Sequence, residues 1–301
     1  MSLIRTTRNT AMLVLLAALA GCGEGGGQGS DNAENADTLK TGTENGGGVL
    51  NVAGKMFSIP SPTTTAMLLR RSGAEYRADL MADAAKVDML TSRVGQALAM
   101  GAFGADLAYA TMNQDPVKGA DMLKAIEVLR EKLGLTHAFG PGLLERCRKN
   151  IDRQDSLLRL SGEAFRAADR YMKNDGSEDL SALVLTGGWI ESLHLSADFA
   201  RSDPNGEMAI QIGSEKNTLA DLIAMLEAAD REKACAALCG DLRTLQQAFA
   251  AIQMDYKYEE PVTDPQKRIT YINSNTKVTI TAEQIATIGE QVTALRNKYM
   301  I

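Results

Sequence analysis

Gly101-Ala102-Phe103-Gly104-Ala105-Asp106-Leu107-Ala108-Tyr109-Ala110-Thr111 decides the fold. Val87, Leu90, Val94, Leu98, Gly101, Ala105, Ala108 and Met112 step by threes and fours. That spacing predicts one long helix whose second half is almost bare of large side chains. A glycine inside a helix costs about 1 kcal/mol relative to alanine. Gly101 and Gly104 are therefore expected to admit another backbone at close range. The matching stretch is Thr186-Gly187-Gly188-Trp189-Ile190-Glu191-Ser192. These two segments are expected to form the centre of an all-α domain.

Helical signals continue on both sides of this pair. Ser61-Pro62 and Asp115-Pro116 place a capping side chain before a proline at the first helical position. Leu123, Ile126, Leu129 and Leu133 form one inward face, and Gly134 ends it. Pro141 is expected to open a short helix through Leu144, Cys147 and Ile151, and Leu157 to Tyr171 marks another. Ser177 is expected to cap the Trp189 helix, which runs to about Ala200. Asp203-Pro204 reads as a short turn, and Leu219 to Leu226 as a separate helix that stops before Asp230. Cys235, Leu238, Leu242, Leu245, Phe249 and Ile252 form an unbroken packing seam. Thr281 and Gln284 are a capping box for a last helix with Ile285, Ile288, Val292, Leu295 and Tyr299 inward. The exception is the β-branched pair of runs 268–272 and 277–280, which predicts a small β-hairpin near 268–280 or an extended arm. The expected architecture is a multi-helix bundle or an irregular array of helical hairpins.

The N-terminus reads as an address. Arg5 and Arg8 precede the apolar run 11–20, and Leu19-Ala20-Gly21-Cys22 follows at once. The run is shorter than the ~20 residues of a transmembrane helix and has the form of a secretory signal. Small residues before Cys22 resemble the lipobox of bacterial lipoproteins. The resemblance implies a signal peptide at 1–21, cleavage after Gly21 and lipid on Cys22. A membrane anchored through that lipid is then the first partner, since several acyl chains hold a protein without a span. Gly23, not Asp, follows Cys22, so the outer membrane is the expected location, with the domain in the periplasm or at the surface. Residues 22–48 are rich in Gly, Ser, Asn, Asp, Glu and Thr and predict a flexible tether. Residues 49–301 are long enough for a single helical domain.

Charge and chemistry narrow the function classes. Without Arg5 and Arg8 the 32 basic residues become 30 against 38 acidic ones, and the formal charge moves from −6 to −8. No basic cluster remains to hold nucleic acid. Three cysteines follow Cys22, at Cys147, Cys235 and Cys239, so a disulfide scaffold is not expected. Cys235 and Cys239 share a helical face within an apolar seam, which favours a core role over a metal. Glu191-Ser192-Leu193-His194 has the Glu-x-x-His spacing of di-iron bundles, but Gly134 stands three residues before His137, the only other histidine, so the second motif fails. There is no Gly-x-Ser-x-Gly elbow, and Val49 and Met56 spoil a phosphate loop around Gly54-Lys55. No catalytic residue, metal or cofactor is expected.

Polar residues nevertheless gather at the small-residue centre. The favoured reading of Asp106, Tyr109, Glu191 and His194 is a hydrogen-bonded knot in the core, with Asp106 and Tyr109 one turn apart and able to satisfy each other. The alternative is a small-ligand or active site built from Asp106, Tyr109, Trp189, Glu191 and His194 between the 101–111 and 187–195 helices. Tyr256 to Pro261 reads as a solvated connection.

The runs Met100 to Gln114, Ala182 to Leu195 and Tyr256 to Thr281 resemble a family of uncharacterised envelope lipoproteins from Bacteroidetes-type bacteria. The likeness extends from about Phe57 onward. It implies an envelope lipoprotein with a helical domain and brings no catalytic residue with it. The expected function is accordingly a non-catalytic, lipid-anchored envelope protein that binds a partner protein or envelope component.

Overall fold

The computed structural model describes residues 47–52, 55–140, 142–266, 269–271 and 274–300. Cys22, Pro141 and the expected signal and tether at 1–46 lie outside them. The described chain begins with a hairpin of β1 (Gly47–Val52) and β2 (Lys55–Pro60), in register from Gly47 opposite Pro60 to Val52 opposite Lys55. Phe57 and Ile59 of β2 are buried. Helix α1 (Pro62–Arg71) follows, capped by Ser61, which accepts from the Thr64 N–H. Residues 72–92 then run as a strap over the core, with 3-10 turns at Ala78–Leu80 and Ala84–Met89.

The centre is α2 (Arg93–Met112), which crosses α6 (Glu178–Ser202) more extensively than any other pair of elements pack. Between them come α3 (Pro116–Lys132), α4 (Leu143–Lys149) and α5 (Gln154–Asn174). After α6 come α7 (Glu207–Ala229) and α8 (Ala236–Ala250), and α9 (Ala282–Tyr299) closes the domain against α6 and α8. The fold is mainly α, as expected. Two further capping signals are used, since Asp115 accepts from the Lys118 N–H at 3.0 Å and Thr281 and Gln284 form a complete capping box, but the Ser177 side chain makes no capping bond at the start of α6.

The glycines explain the central crossing. A methyl group on Gly101 would collide with the Val184 carbonyl oxygen and lie 2.6 Å from the Gly188 nitrogen. A methyl group on Gly187 would collide with the Leu98 carbonyl. Both obstacles are backbone, so no rotamer change relieves them. Gly104 plays a different part from the one expected. Its missing side chain makes room for the Phe165 ring of α5, not for α6.

Three boundaries depart from the sequence reading. Val87 and Leu90 precede the central helix; Val87 lies in a 3-10 turn, and α2 starts only at Arg93, where Ser92 caps it by accepting from the Gly95 N–H at 3.0 Å. Residues 207–229 are one helix, so the expected break before Leu219 does not exist. Cys235 is the residue before α8, not its first seam position, although it remains buried.

The β region follows the extended-arm reading, not the hairpin. Residues 269–271 and 275–279 pair with other strands, and Arg268 and Ile272 lie outside the described residues. Strand β3 (Gln253–Lys257) pairs antiparallel with β6 (Asn275–Thr279), and β4 (Val262–Asp264) pairs with β5 (Ile269–Tyr271). The two ladders follow one another along a single arm that leaves the domain at Ile252 and returns at Ile280. The Tyr256 to Pro261 stretch therefore belongs partly to a strand, not wholly to a connection. At the base, Val278 seats over Gly213 of α7, and Lys216 donates to the carbonyls of Ala250 at 3.0 Å and Ile252 at 2.8 Å.

Candidate functional site

Asp106 stands on α2 five residues after Gly101, and Glu191 stands four residues after Gly187 on α6. The close approach that the glycines permit brings both carboxyl groups into the same interior space, and each is 0% exposed. A buried charge must be paired or neutralised. Arg296 of α9 answers Glu191. Its Nε donates to Oε2 at 2.5 Å and its Nη2 to Oε1 at 2.9 Å, a bidentate pair. The same Nη2 donates to the Leu80 carbonyl of the strap at 3.1 Å.

Asp106 is held differently. Its Oδ2 accepts the Ala82 N–H at 2.8 Å, its buried Oδ1 has no hydrogen-bond partner, and Glu191 is its carboxyl neighbour. Burial pushes Asp106 well above the ordinary carboxylate range, and the neighbouring Glu191 charge adds to the rise; Ala82 and Arg296 oppose it. Burial also raises Glu191, against the pull of Arg296. His194, one turn after Glu191, places Nδ1 2.9 Å from Thr293 Oγ1. Burial, then the charge of Arg296, push His194 down to about 4, with the Leu80 carbonyl acting in the opposite sense. The imidazole is neutral at pH 7.

Three of the five candidate residues thus come together: Asp106, Glu191 and His194. Tyr109 does not bond to Asp106, as had been expected. One turn further along α2, its hydroxyl accepts the Arg77 N–H of the strap at 3.0 Å. Its ring packs 5.2 Å from Tyr76, and Tyr76 in turn donates to Asp115 at 2.9 Å. Trp189 faces the other way, toward α7. Its indole N–H donates to Glu215 Oε2 at 2.8 Å, and Gln211 donates to Oε1 of the same carboxylate at 2.6 Å. Burial raises Glu215, and these hydrogen bonds oppose the shift.

The knot has few openings for a ligand. A void beside Trp189, Ser192, Ser196 and Glu215 measures about 10 Å³, no more than the space of one water. A second, wholly apolar void of about 40 Å³ lies beside Phe165, Cys147 and Met172. Among the described cavities the largest is a surface cleft of about 640 Å³ between the start of the strap, at Ser72 to Arg77, and the α6–α7 junction, at Asp198 to Met208. None of the five candidate residues lines it. Its charges are mixed, with Glu75, Asp198, Asp203 and Glu207 facing Arg77 and Arg201.

Sequence reasoning missed Arg296 and Glu215. Both carried a signal. Arg296 lies four residues after Val292 and so falls on the inward stripe of α9. Glu215 lies four residues before Leu219, on the inward stripe of a helix whose start was placed too late. Cys147, Cys235 and Cys239 are buried and unbridged, and burial raises the Cys147 thiol to about 11 and Cys235 to about 12. Among the described residues no group of His, Cys, Asp and Glu has a metal-binding arrangement, and no helix is long and apolar enough to cross a membrane.

Large apolar side chains reach solvent mainly on the arm. Tyr256, Tyr258, Val262, Ile269 and Tyr271 are 44–67% exposed, whereas Met67, Met89, Val117 and Ile210 are scattered over the rest of the surface. In the outer ladder Val262 pairs with Tyr271, and Ile269 falls two residues along on the same face. Thr263 and Thr270 occupy the opposite face, their hydroxyls 3.0 Å apart. Neither a family model, nor a curated protein, nor a solved structure matches the chain.

Proposed function

We propose that the protein is a non-catalytic, lipid-anchored cell-envelope protein whose helical domain binds a partner protein through the exposed arm. The single observation behind this reading is the arm itself. It collects five large apolar side chains on a two-stranded ribbon that, among the described residues, pairs with no third strand. Exposed aromatic residues mark interaction surfaces more often than isolated apolar ones, and a free strand edge offers backbone hydrogen bonds to an extended partner segment. The sealed knot argues for structure at the centre, because its carboxylates, guanidinium and imidazole are spent on one another and on the strap. The lipobox resemblance at Cys22 supplies the anchor and the envelope location, with the outer membrane as the site.

A photo-reactive amino acid placed at Tyr258 or Tyr271 in the native envelope tests the partner. A discrete protein adduct from these positions, and none from Val117 on α3, is expected; equal or absent crosslinking from all three overturns the arm as the contact. Cys22→Ser tests the anchor separately. The variant should accumulate as an unprocessed precursor, and normal maturation with retention in the membrane fraction would remove the lipoprotein reading.

One observation favours a second reading, a small-ligand receptor. The cleft between Ser72 to Arg77 and Asp198 to Met208 has the volume of a ligand site. A stoichiometric small molecule in native mass spectrometry, lost on Arg77→Ala or Asp198→Ala, would move the function there.

A further inference from the structure

Three interior groups and one strand of backbone meet at α2, α6, α9 and the strap, and their charges do not balance. Asp106 and Glu191 are two carboxyls at 0% exposure, and among the described residues Arg296 is the cation bonded to Glu191. His194 stands beside Arg296 and is neutral. If both acids were ionised, a net negative charge would be sealed from water, which proteins avoid at a cost of several kcal/mol. The hydrogen bonds identify the remedy. Glu191 uses both oxygens on Arg296, so it is the ionised member. Asp106 uses Oδ2 on the Ala82 N–H, while Oδ1, fully buried, has no donor facing it. Its carboxyl neighbour is Glu191, itself an acceptor. Two acceptors make a hydrogen bond only with a proton between them. A proton on Asp106 Oδ1 satisfies the orphaned atom, completes the bond to Glu191 and brings the cluster to neutrality.

We propose that Asp106 and Glu191 hold one proton between them, and that this proton latches the strap onto the helical core. The strap is fastened at Ala82 by Asp106, at Leu80 by Arg296 and at Arg77 by Tyr109. The first two fastenings depend on the neutral cluster. The groups facing Asp106 are Glu191 from α6, Arg296 from α9 and the Ala82 N–H from the strap, with Tyr109 on its own helix and Tyr76 on the strap feeling its charge. When the proton leaves, two carboxylates face one guanidinium out of reach of water; the Ala82 N–H and Arg296 favour the ionised form, but burial outweighs them, so lifting the strap to admit water becomes favourable. Residues 72–77, at the start of the same strap, form one wall of the large surface cleft and stay fastened by Tyr109 at Arg77, so the release is confined to the stretch around Leu80 and Ala82. The sign of the pH dependence is unusual for a carboxyl. The folded-state value lies above the unfolded one, so the latch is fully closed below the ordinary aspartate range and opens as pH rises through the folded value.

Asp106→Asn separates this from a merely structural role. The asparagine carbonyl accepts from Ala82, and its amide donates to Glu191, so it copies protonated Asp106 and cannot lose the proton. Hydrogen exchange of the Ala82 amide is compared in the two proteins at each pH, which cancels the intrinsic rate. Protection in the wild type should fall by up to about tenfold per pH unit, relative to Asp106→Asn, between the ordinary aspartate range and the folded value, and level off above it. Identical pH profiles would overturn the latch. Carboxyl ¹³C NMR of the wild type with labelled aspartate needs no variant. One resonance should stay at the protonated position at pH 7, where the other aspartates are ionised; full ionisation of every aspartate at pH 7 would overturn the shared proton.

Discussion

Arg296 reaches Glu191 across 105 positions of sequence and grips it with two hydrogen bonds, of 2.5 and 2.9 Å, inside the core. The pair ties the last helix to the middle of the domain. Breaking one side of such a pair leaves an uncompensated buried charge, which costs roughly 3–5 kcal/mol. Arg296→Leu should therefore lower the unfolding free energy measured in urea by that amount. The double variant Arg296→Leu with Glu191→Met should regain part of the loss, because the stranded carboxylate is gone. Equal midpoints for wild type and Arg296→Leu would show that the pair contributes nothing.

The glycines at the crossing are predicted to differ in rank. Gly187→Ala and Gly101→Ala each drive a methyl group into a backbone carbonyl that cannot rotate away, at Leu98 and Val184 respectively. Overpacking of this kind costs roughly 1–3 kcal/mol, and more where the backbone must part. Gly104→Ala meets only the Phe165 ring, which is partly exposed and able to turn. Its cost is offset by the ~1 kcal/mol that alanine gains over glycine in a helix. Thermal melts should place Gly187→Ala and Gly101→Ala well below wild type and Gly104→Ala close to it. The reverse order would contradict the crossing geometry.

Much of this was legible because packing follows local period. The seam 238–252 and the stripe 285–299 name their buried residues directly, and capping pairs at Ser61, Asp115 and Thr281 sit where they were read. The failures have physical causes. Val87 and Leu90 keep helical spacing, yet Ser92 supplies a cap that starts the helix later. Glu215 sits on an inward stripe, but a carboxylate breaks an apolar pattern until Trp189 is known to satisfy it. The pairing of 253–257 with 275–279 joins segments more than a dozen residues apart, and β-branched runs do not say which run they pair with. At the candidate site Asp106, Glu191 and His194 were foreseen together, whereas the parting of Tyr109 and Trp189 depends on the strap and on α7, which no motif announces.

His194 predicts acid sensitivity. Its folded value of about 4 lies below the ordinary 6.5, because burial and Arg296 oppose the imidazolium. The unfolded chain takes up the proton first. Stability from this group is therefore present above about pH 6.5 and is lost as pH falls toward about 4, a total of about 3 kcal/mol. His194→Gln cannot ionise, so its stability curve over that window should be flatter than the wild-type curve by a comparable amount. Parallel curves for the two proteins would mean that the imidazole is not held neutral.

The arm is predicted to be dispensable for folding and required for binding. Its base is fastened by Val278 over Gly213 and by Lys216 on two carbonyls, whereas Tyr258, Val262 and Tyr271 stand in solvent beyond those anchors. Substitutions at exposed positions away from buried features change stability by about 0.5 kcal/mol or less. Tyr258→Ser, Val262→Ser and Tyr271→Ser together should leave the thermal midpoint nearly unchanged. The same variant should lose the protein that co-purifies with the wild type from its envelope, since aromatic anchors contribute most where a surface becomes covered. Val278→Ser acts at the base, so it should weaken the anchoring of the arm and reduce binding through stability. Val117→Ser, on an exposed position of α3, should change neither property. Partner retention by the triple variant, with its midpoint intact, would assign the contact to another face of the helical domain.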